Sequence, residues 1–168
     1  MSFSQAATIL AKQLRELQRE NAVEGISVGL IDDSNIFEWQ VIISGPSDTD
    51  YEGGIFKAIL KFPHDFPLNP PKMKFISEMY HPNIYPDGDV CISILHAPGD
   101  DPMHYETADE RWRPVHGVQS VLLSVVSMLN EPNTESPANI EAAKLSRENM
   151  GEFKKRVRRT VRRSLESL

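Results

Sequence analysis

The sequence predicts an α+β domain in which an N-terminal helix packs on a four-stranded antiparallel meander, followed by a helical C-terminal third. Leu10, Leu14 and Leu17 stand at i, i+4 and i+7 in a polar stretch, the period of one helix face. Residues 25–75 then switch to β-branched and aromatic segments parted by turn residues. Beyond residue 114 apolar positions again recur at helical spacing.

The first helix is placed over residues 4–20, with Lys12, Arg15 and Arg19 on its polar side. The strand candidates are Ile26 to Ile31, Phe37 to Ser44, Ile55 to Phe62 and Lys72 to Ile76. Between them lie Asp32-Asp33-Ser34-Asn35, Gly45-Pro46-Ser47-Asp48 and the proline cluster Pro63 to Pro71. Short breaks favour hairpins, hence the meander. From Ile76 to about Trp112 no period is visible, which is too long for an idle connection and points to function.

Val115 to Leu129 is so continuously apolar that it predicts a central buried helix. Ser136-Pro137 has the form of an N-cap followed by proline at the first helical position, opening a helix from about Ala138 to Glu148. Gly151 punctuates before a last helix, where Phe153, Val157, Val161 and Leu165 repeat every fourth residue. With no repeat or linker, residues 1–168 are expected to form one domain.

Composition narrows the classes. At 40% hydrophobic and 25% charged residues, 168 residues make an ordinary globular chain able to bury a core. The longest apolar run, Val121 to Leu129, is broken by Ser124 and Ser127 and falls short of the roughly 18 residues of a membrane span. Met1 to Gln5 has no basic region leading into an apolar one, so no secretory signal is expected. The net charge of −6 conceals seven cations without an acid over residues 154–163, leaving −13 for the rest. Such a block can meet nucleic acid or an acidic partner, but the apolar stripe through it favours a solvated helix face. Nucleic-acid binding is not expected.

Cys91 is the single cysteine, so neither an internal disulfide nor a multi-cysteine zinc site is open to it. It packs as a small apolar residue or acts as a nucleophile, and one unpaired thiol fits the reducing cytosol or nucleus. Eight residues before it, His81-Pro82-Asn83 sets a backbone-shaping proline beside an amide donor.

Eight short motifs in order then carry a resemblance. They are Gly45-Pro46, Tyr51-Glu52-Gly53-Gly54, Phe62-Pro63, Pro67-Leu68-Asn69-Pro70-Pro71-Lys72, His81-Pro82-Asn83, Gly88-Asp89-Val90-Cys91, Trp112-Arg113-Pro114 and Glu131-Pro132-Asn133. Each alone is weak; together they resemble the ubiquitin-conjugating enzymes over essentially the whole chain. Residues 97–109 and Ser136-Pro137-Ala138-Asn139 resemble the G-type subfamily, which carries an acidic insertion after its cysteine.

The resemblance implies the ubiquitin-conjugating fold and a thioester enzyme. Cys91 would take ubiquitin from an activating enzyme in an ATP-dependent pathway leading to proteasomal degradation, and pass it to lysine amines of substrates or of ubiquitin. The donor is already a thioester, so no base beside the sulfur is demanded. Asn83 would stabilise the oxyanion, hold the loop in shape, or both. His81 is implied to be structural, bonded to main chain.

Many family members have an acid where this chain has Ser93 and another where it has Ser136, so activation of the lysine is open. Asp100, Asp101, Asp109 and Glu135 are the substitutes at hand. A metal site from Asp100, Asp101 and His104 is not expected, nor any cofactor. Pro67 and Leu68 with Pro114 and Val115 match the positions that dock RING-type ligases, provided the two loops meet. The N-terminal helix would help bind the activating enzyme and the ligase. A monomer is expected, in the cytoplasm or nucleus or brought to a membrane surface by a partner, without membrane insertion of its own.

Three alternatives stay in view. A cysteine hydrolase would use His81, His96, His104 or His116 as base; a non-catalytic module would keep only the fold; a related modifier could replace ubiquitin.

Overall fold

In the computed structural model, residues 3–20 and 22–168 are described. Met1 and Ser2, part of the segment inspected for a leader, lie outside them. The chain runs α1 (Phe3–Glu20), β1 (Ile26–Leu30), β2 (Glu38–Ser44), β3 (Ile55–Lys61) and β4 (Lys72–Phe75). A short 3-10 helix (Ser93–Leu95) follows, then α2 (Val118–Asn130), α3 (Ile140–Glu148) and α4 (Met150–Glu166). This is the α+β meander the turn spacing predicts.

Alternation explains the sheet. The strands pair antiparallel in the order β1-β2-β3-β4. Register sets Trp39, Val41 and Ile43 opposite Leu60, Ala58 and Phe56, and Leu60 and Ala58 opposite Met73 and Phe75. Every one of these side chains is buried, so a one-residue slip would turn the whole row to water. Ala6, Leu10, Leu14 and Leu17 of α1 join the same core, as do Val118, Val121, Leu122, Val125, Met128 and Leu129 of α2.

The helix starts differ from the sequence expectation. α2 begins at Val118 because Arg113 to His116 close a turn, with His116 N donating to Arg113 O at 2.9 Å. Gly117 offers no capping side chain, and Gln13 of α1 supplies the acceptor instead, at 2.9 Å from Val118 N. The helix is also one-sided rather than wholly buried, since Leu123 is 51% exposed. Ser136-Pro137 do not open α3. Ala138 N and Asn139 N both donate to Pro82 O, and Asn139 Oδ1 caps Ala142 N at 3.0 Å, so α3 starts two residues later than expected.

Gly151 does not separate the last two helices; it lies within α4, and Asn149 does the separating. Its N–H closes α3 on Leu145 O while its side chain caps Glu152 N of α4 at 3.2 Å. On α4 the buried stripe is Phe153, Val157, Thr160, Val161 and Ser164, leaving Leu165 45% exposed. A four-residue spacing drifts off one face at 3.6 residues per turn, so Ser164 succeeds Val161. Its hydroxyl accepts from Ile55 N at 3.0 Å, tying α4 to β3. The cations of α4 are partly engaged: Arg156 pairs with Glu141 and Glu152, Arg163 with Glu78, and Arg158 bonds Glu52 O at 2.8 Å.

Trp112 holds two loops together. It is fully buried, packs its ring tilted against that of Phe66, and donates from Nε1 to Pro67 O at 2.8 Å. Trp112→Ala is expected to lower unfolding free energy by about 3–5 kcal/mol, the range for emptying a large aromatic site. Urea denaturation followed by far-UV circular dichroism checks this; a loss below 1 kcal/mol (about fivefold in the folding constant) would contradict it.

Candidate active site around Cys91

Cys91 sits at the end of a turn hung from the edge of the sheet. Phe75 N donates to Gly88 O at 2.8 Å and Val90 N to Met73 O at 3.0 Å. Gly88 has φ +104°, and a Cβ there would fall 2.2 Å from Phe75 O, so only glycine permits this approach. Cys91 N then donates to Asn83 O at 2.9 Å. The sulfur's residue is partly exposed rather than sealed in the core.

The His81-Pro82-Asn83 segment is rigid by design of its bonds. His81 is fully buried; Nδ1 accepts from Asn83 N at 2.9 Å and Nε2 donates to Met128 O at 2.7 Å. Those partners fit the neutral ring with its proton on Nε2. Burial pushes its pKa down to about 4, against the opposing pull of the Met128 carbonyl. Asn83 is buried too. Its Nδ2 donates to Asn133 O and its Oδ1 accepts from Asn133 N, both at 2.8 Å. The amide thus has a plain loop-shaping role, while Nδ2 carries a second hydrogen not committed to Asn133.

Ser93, His96 and Glu106 stand around the sulfur; His96 was expected only as one of four hydrolase bases, Ser93 only as a position lacking an acid, and Glu106 carried no expectation. The 3-10 helix folds the chain back so that His96 Nε2 lies 3.6 Å from Cys91 Sγ. His96 Nδ1 is 2.8 and 3.1 Å from the two oxygens of Glu106. Ser93 Oγ donates to Glu106 Oε2 at 2.6 Å, so the loop brings a carboxylate against Ser93, a position that carries no acid of its own. Arg111 Nε stands 3.2 Å from Glu106 Oε1 as an ion pair, though not aligned as a hydrogen bond.

The pKa of His96 is raised to about 9, chiefly by its hydrogen bond to Cys91, against burial and with the help of Glu106. At neutral pH the ring therefore holds both protons. Tyr85 stands close enough that the charge of Cys91, first among several causes, lifts its phenol above the usual range.

Cys91, Asn83, His96, Glu106, Glu110 and Ser136 line a cleft of about 240 Å³ that also reaches Glu131. Asp100 and Asp101 stand outside it, around a separate depression with His104 and Thr107. The reason is local. Asp101 turns its carboxylate onto its own loop, accepting from Met103 N, Tyr105 N and Glu106 N at 2.9, 2.8 and 3.1 Å. Those bonds, Met103 first, hold its pKa below the ordinary carboxylate value. Asp100 is exposed and contributes its carbonyl to Arg111. Asp109 pairs with Arg113 at 3.4 Å, and Glu135 lies outside the cleft lining. The acids that line the cleft with Cys91 are Glu106, Glu110 and Glu131, which lie ten or more residues away from it in sequence and which no local pattern marks.

Among the described residues, no group of three His, Cys, Asp or Glu is placed to hold a metal ion. Of His81, His96, His104 and His116, only His96 lines the Cys91 cleft beside Asn83. Away from the cleft, the Trp112–Pro67 bond brings the two apolar loops together, with Leu68 44% and Val115 81% exposed.

Comparison with known proteins places these features in a family. The family model described as "Ubiquitin-conjugating enzyme" matches residues 9–161. "Ubiquitin-conjugating enzyme E2 15" of Schizosaccharomyces pombe is 61% identical over 168 residues, spanning 100% of both chains. "Ubiquitin-conjugating enzyme E2 G2" of Homo sapiens is 55% identical over 162 residues, covering 95% of this chain and 98% of that one. Among solved structures, that of human "Ubiquitin-conjugating enzyme E2 G1" aligns with a TM-score of 0.67 at 52% identity, over 76% of this chain and 97% of that one.

The buried neutral ring of His81 sets an acid limit on stability. Its folded pKa lies below the unfolded value of 6.5, so its contribution is complete above pH 6.5 and is lost as pH falls through about 4. The loss amounts to about 3 kcal/mol across that window. Urea midpoints measured between pH 7 and 4 are expected to fall less steeply for His81→Gln than for the parent chain; parallel slopes would refute the assignment.

Proposed function

The chain belongs to the ubiquitin-conjugating enzyme family, with the G-type members among its near relatives, and from that premise we propose that it works through a ubiquitin thioester on Cys91. The observation that supports this most directly is that Cys91, a partly exposed residue with a free thiol, lines a cleft together with Asn83. The sulfur attacks the carbonyl of ubiquitin's C-terminal glycine on the activating enzyme. A new C–S bond forms, and the activating enzyme's thiolate leaves. In the second step a lysine amine attacks the same carbonyl and Cys91 departs.

Negative charge develops on the carbonyl oxygen during that attack. The uncommitted Nδ2 hydrogen of Asn83 is the donor for it, worth on the order of 2.7–4 kcal/mol by the cost of deleting such donors elsewhere. The bonds to Asn133 keep the amide from turning away, which is the preorganisation such catalysis requires. One residue thus serves both roles weighed from sequence. Glu110 and Glu131 at the cleft edge are placed to orient an incoming ammonium, whose ordinary pKa near ~10.4 must fall or be met by a base before attack.

The joined loops bearing Pro67, Leu68, Pro114 and Val115 present an exposed apolar pair suited to a RING-type ligase. Ubiquitin, the activating enzyme, such a ligase and protein substrates are the partners of this reading, and the chain acts as a monomer without cofactor. No helix among the described residues is long and apolar enough to cross a membrane. Cytosolic or nuclear action, or recruitment to a membrane by a partner, is compatible with that. The His96–Glu106 pair beside a thiol would also suit a hydrolase, and the two readings separate in one assay.

Incubation with activating enzyme, ATP and ubiquitin is expected to give an adduct cleaved by thiol reagents. Cys91→Ser should give one that resists thiols and yields to hydroxide. Hydrolysis of acyl substrates without any adduct would favour the hydrolase. Asn83→Ala, checked for folding, is expected to charge normally but to discharge to free lysine about 100–1,000-fold more slowly. Equal losses in both steps would assign Asn83 to loop shape alone.

A further inference from the structure

Building on the reading of Cys91 as the acyl carrier, we infer that His96 is a proton shuttle governed by the state of the sulfur. It holds a proton while Cys91 is free, gives it up when an acyl group arrives, and takes one from the attacking amine. Glu106 is the residue that positions it.

The geometry carries this. Nε2 faces Sγ at 3.6 Å, and Nδ1 is held by both Glu106 oxygens. Glu106 is itself fixed from three sides: its carboxylate accepts from Ser93 Oγ and pairs with Arg111, and its backbone N–H donates to Asp101. The ring cannot leave the sulfur without breaking these contacts. Groups of either sign surround it: Cys91 and, beyond the sulfur, Tyr85; Glu106, Glu110 and Tyr105 from the loop; Glu131 from the end of α2; Arg111 through Glu106. The largest influence favouring its proton is the bond to Cys91, and acylation turns that sulfur into a thioester sulfur, a poor acceptor.

The proton count closes over one turnover. In charging, the Cys91 thiolate forms a C–S bond to ubiquitin's carbonyl carbon, the activating enzyme's thiolate leaves, and the proton of the His96 imidazolium goes to it. The ring is now neutral. In discharge, the lysine nitrogen forms a C–N bond, its surplus proton passes to His96 Nε2, and the C–S bond breaks to release the Cys91 thiolate. The sulfur is again free and the ring again protonated, as at the start.

Because Cys91 is the only cysteine, iodoacetamide caps it alone as a neutral thioether in the otherwise native chain. Imidazole ¹⁵N NMR is expected to show His96 titrating near pH 9 in the free protein. Capping should lower that midpoint by at least about one pH unit, toward the ordinary value near ~6.5. Glu106→Gln should lower it without capping, and Glu106→Asp should restore part of the shift. His96→Gln, once charged, should discharge to free lysine about 10–100-fold more slowly and lose the inflection that the parent pH–rate profile shows. An unchanged midpoint on capping, or a parental rate and profile in His96→Gln, would overturn the shuttle. Should that variant misfold, the capping titration on the native chain decides alone. Failure of the parent chain to charge with ubiquitin would instead overturn the acyl-carrier reading, an outcome the capping titration does not touch.

Discussion

Two hydrogen bonds between the side chain of Asn83 and the backbone of Asn133 join the loop bearing the sulfur to the segment after α2, and the site depends on that clasp. Asn83 O receives Cys91 N, His81 receives Asn83 N, and Pro82 O gathers the two N–H groups ahead of α3. Four backbone segments therefore meet on three consecutive residues. An asparagine is suited to this because it donates and accepts at once, and burial makes each lost bond cost the full desolvation of its partner. A carboxylate or a longer amide would have to break one side of the clasp.

The second organising feature is a carboxylate brought in from a distance. Glu106 reaches Ser93, His96 and Arg111 across more than one chain segment, and it does so because the Asp101 carboxylate turns the loop by accepting the backbone N–H groups of Met103, Tyr105 and Glu106. The acidic loop thus divides its labour. Asp101 shapes, Glu106 reaches the site, and Asp100 and Asp109 stay in solvent. A cluster of like charges in sequence says little about which member acts, since orientation within a turn decides it.

Much of the fold was legible because burial and backbone period coincide. The strands, α1 and the stripe of α4 follow from alternation or helical spacing against one core, and a lone cysteine after His81-Pro82-Asn83 marked a segment that lines the candidate cleft. Helix starts were less legible. Gln13 capping α2 and Pro82 delaying α3 are contacts between residues far apart in the chain, which local propensity does not register.

The sequence by itself determined which atoms are chemically available: one thiol, one neighbouring amide, an apolar pair on each of two loops. Tertiary structure alone decided what stands against the sulfur. His96 arrives there through a single turn of 3-10 helix, and Glu106 through a loop closed on itself. Hydrogen bonding acts over a few ångströms of space, whereas the pattern in a chain records only distance along it.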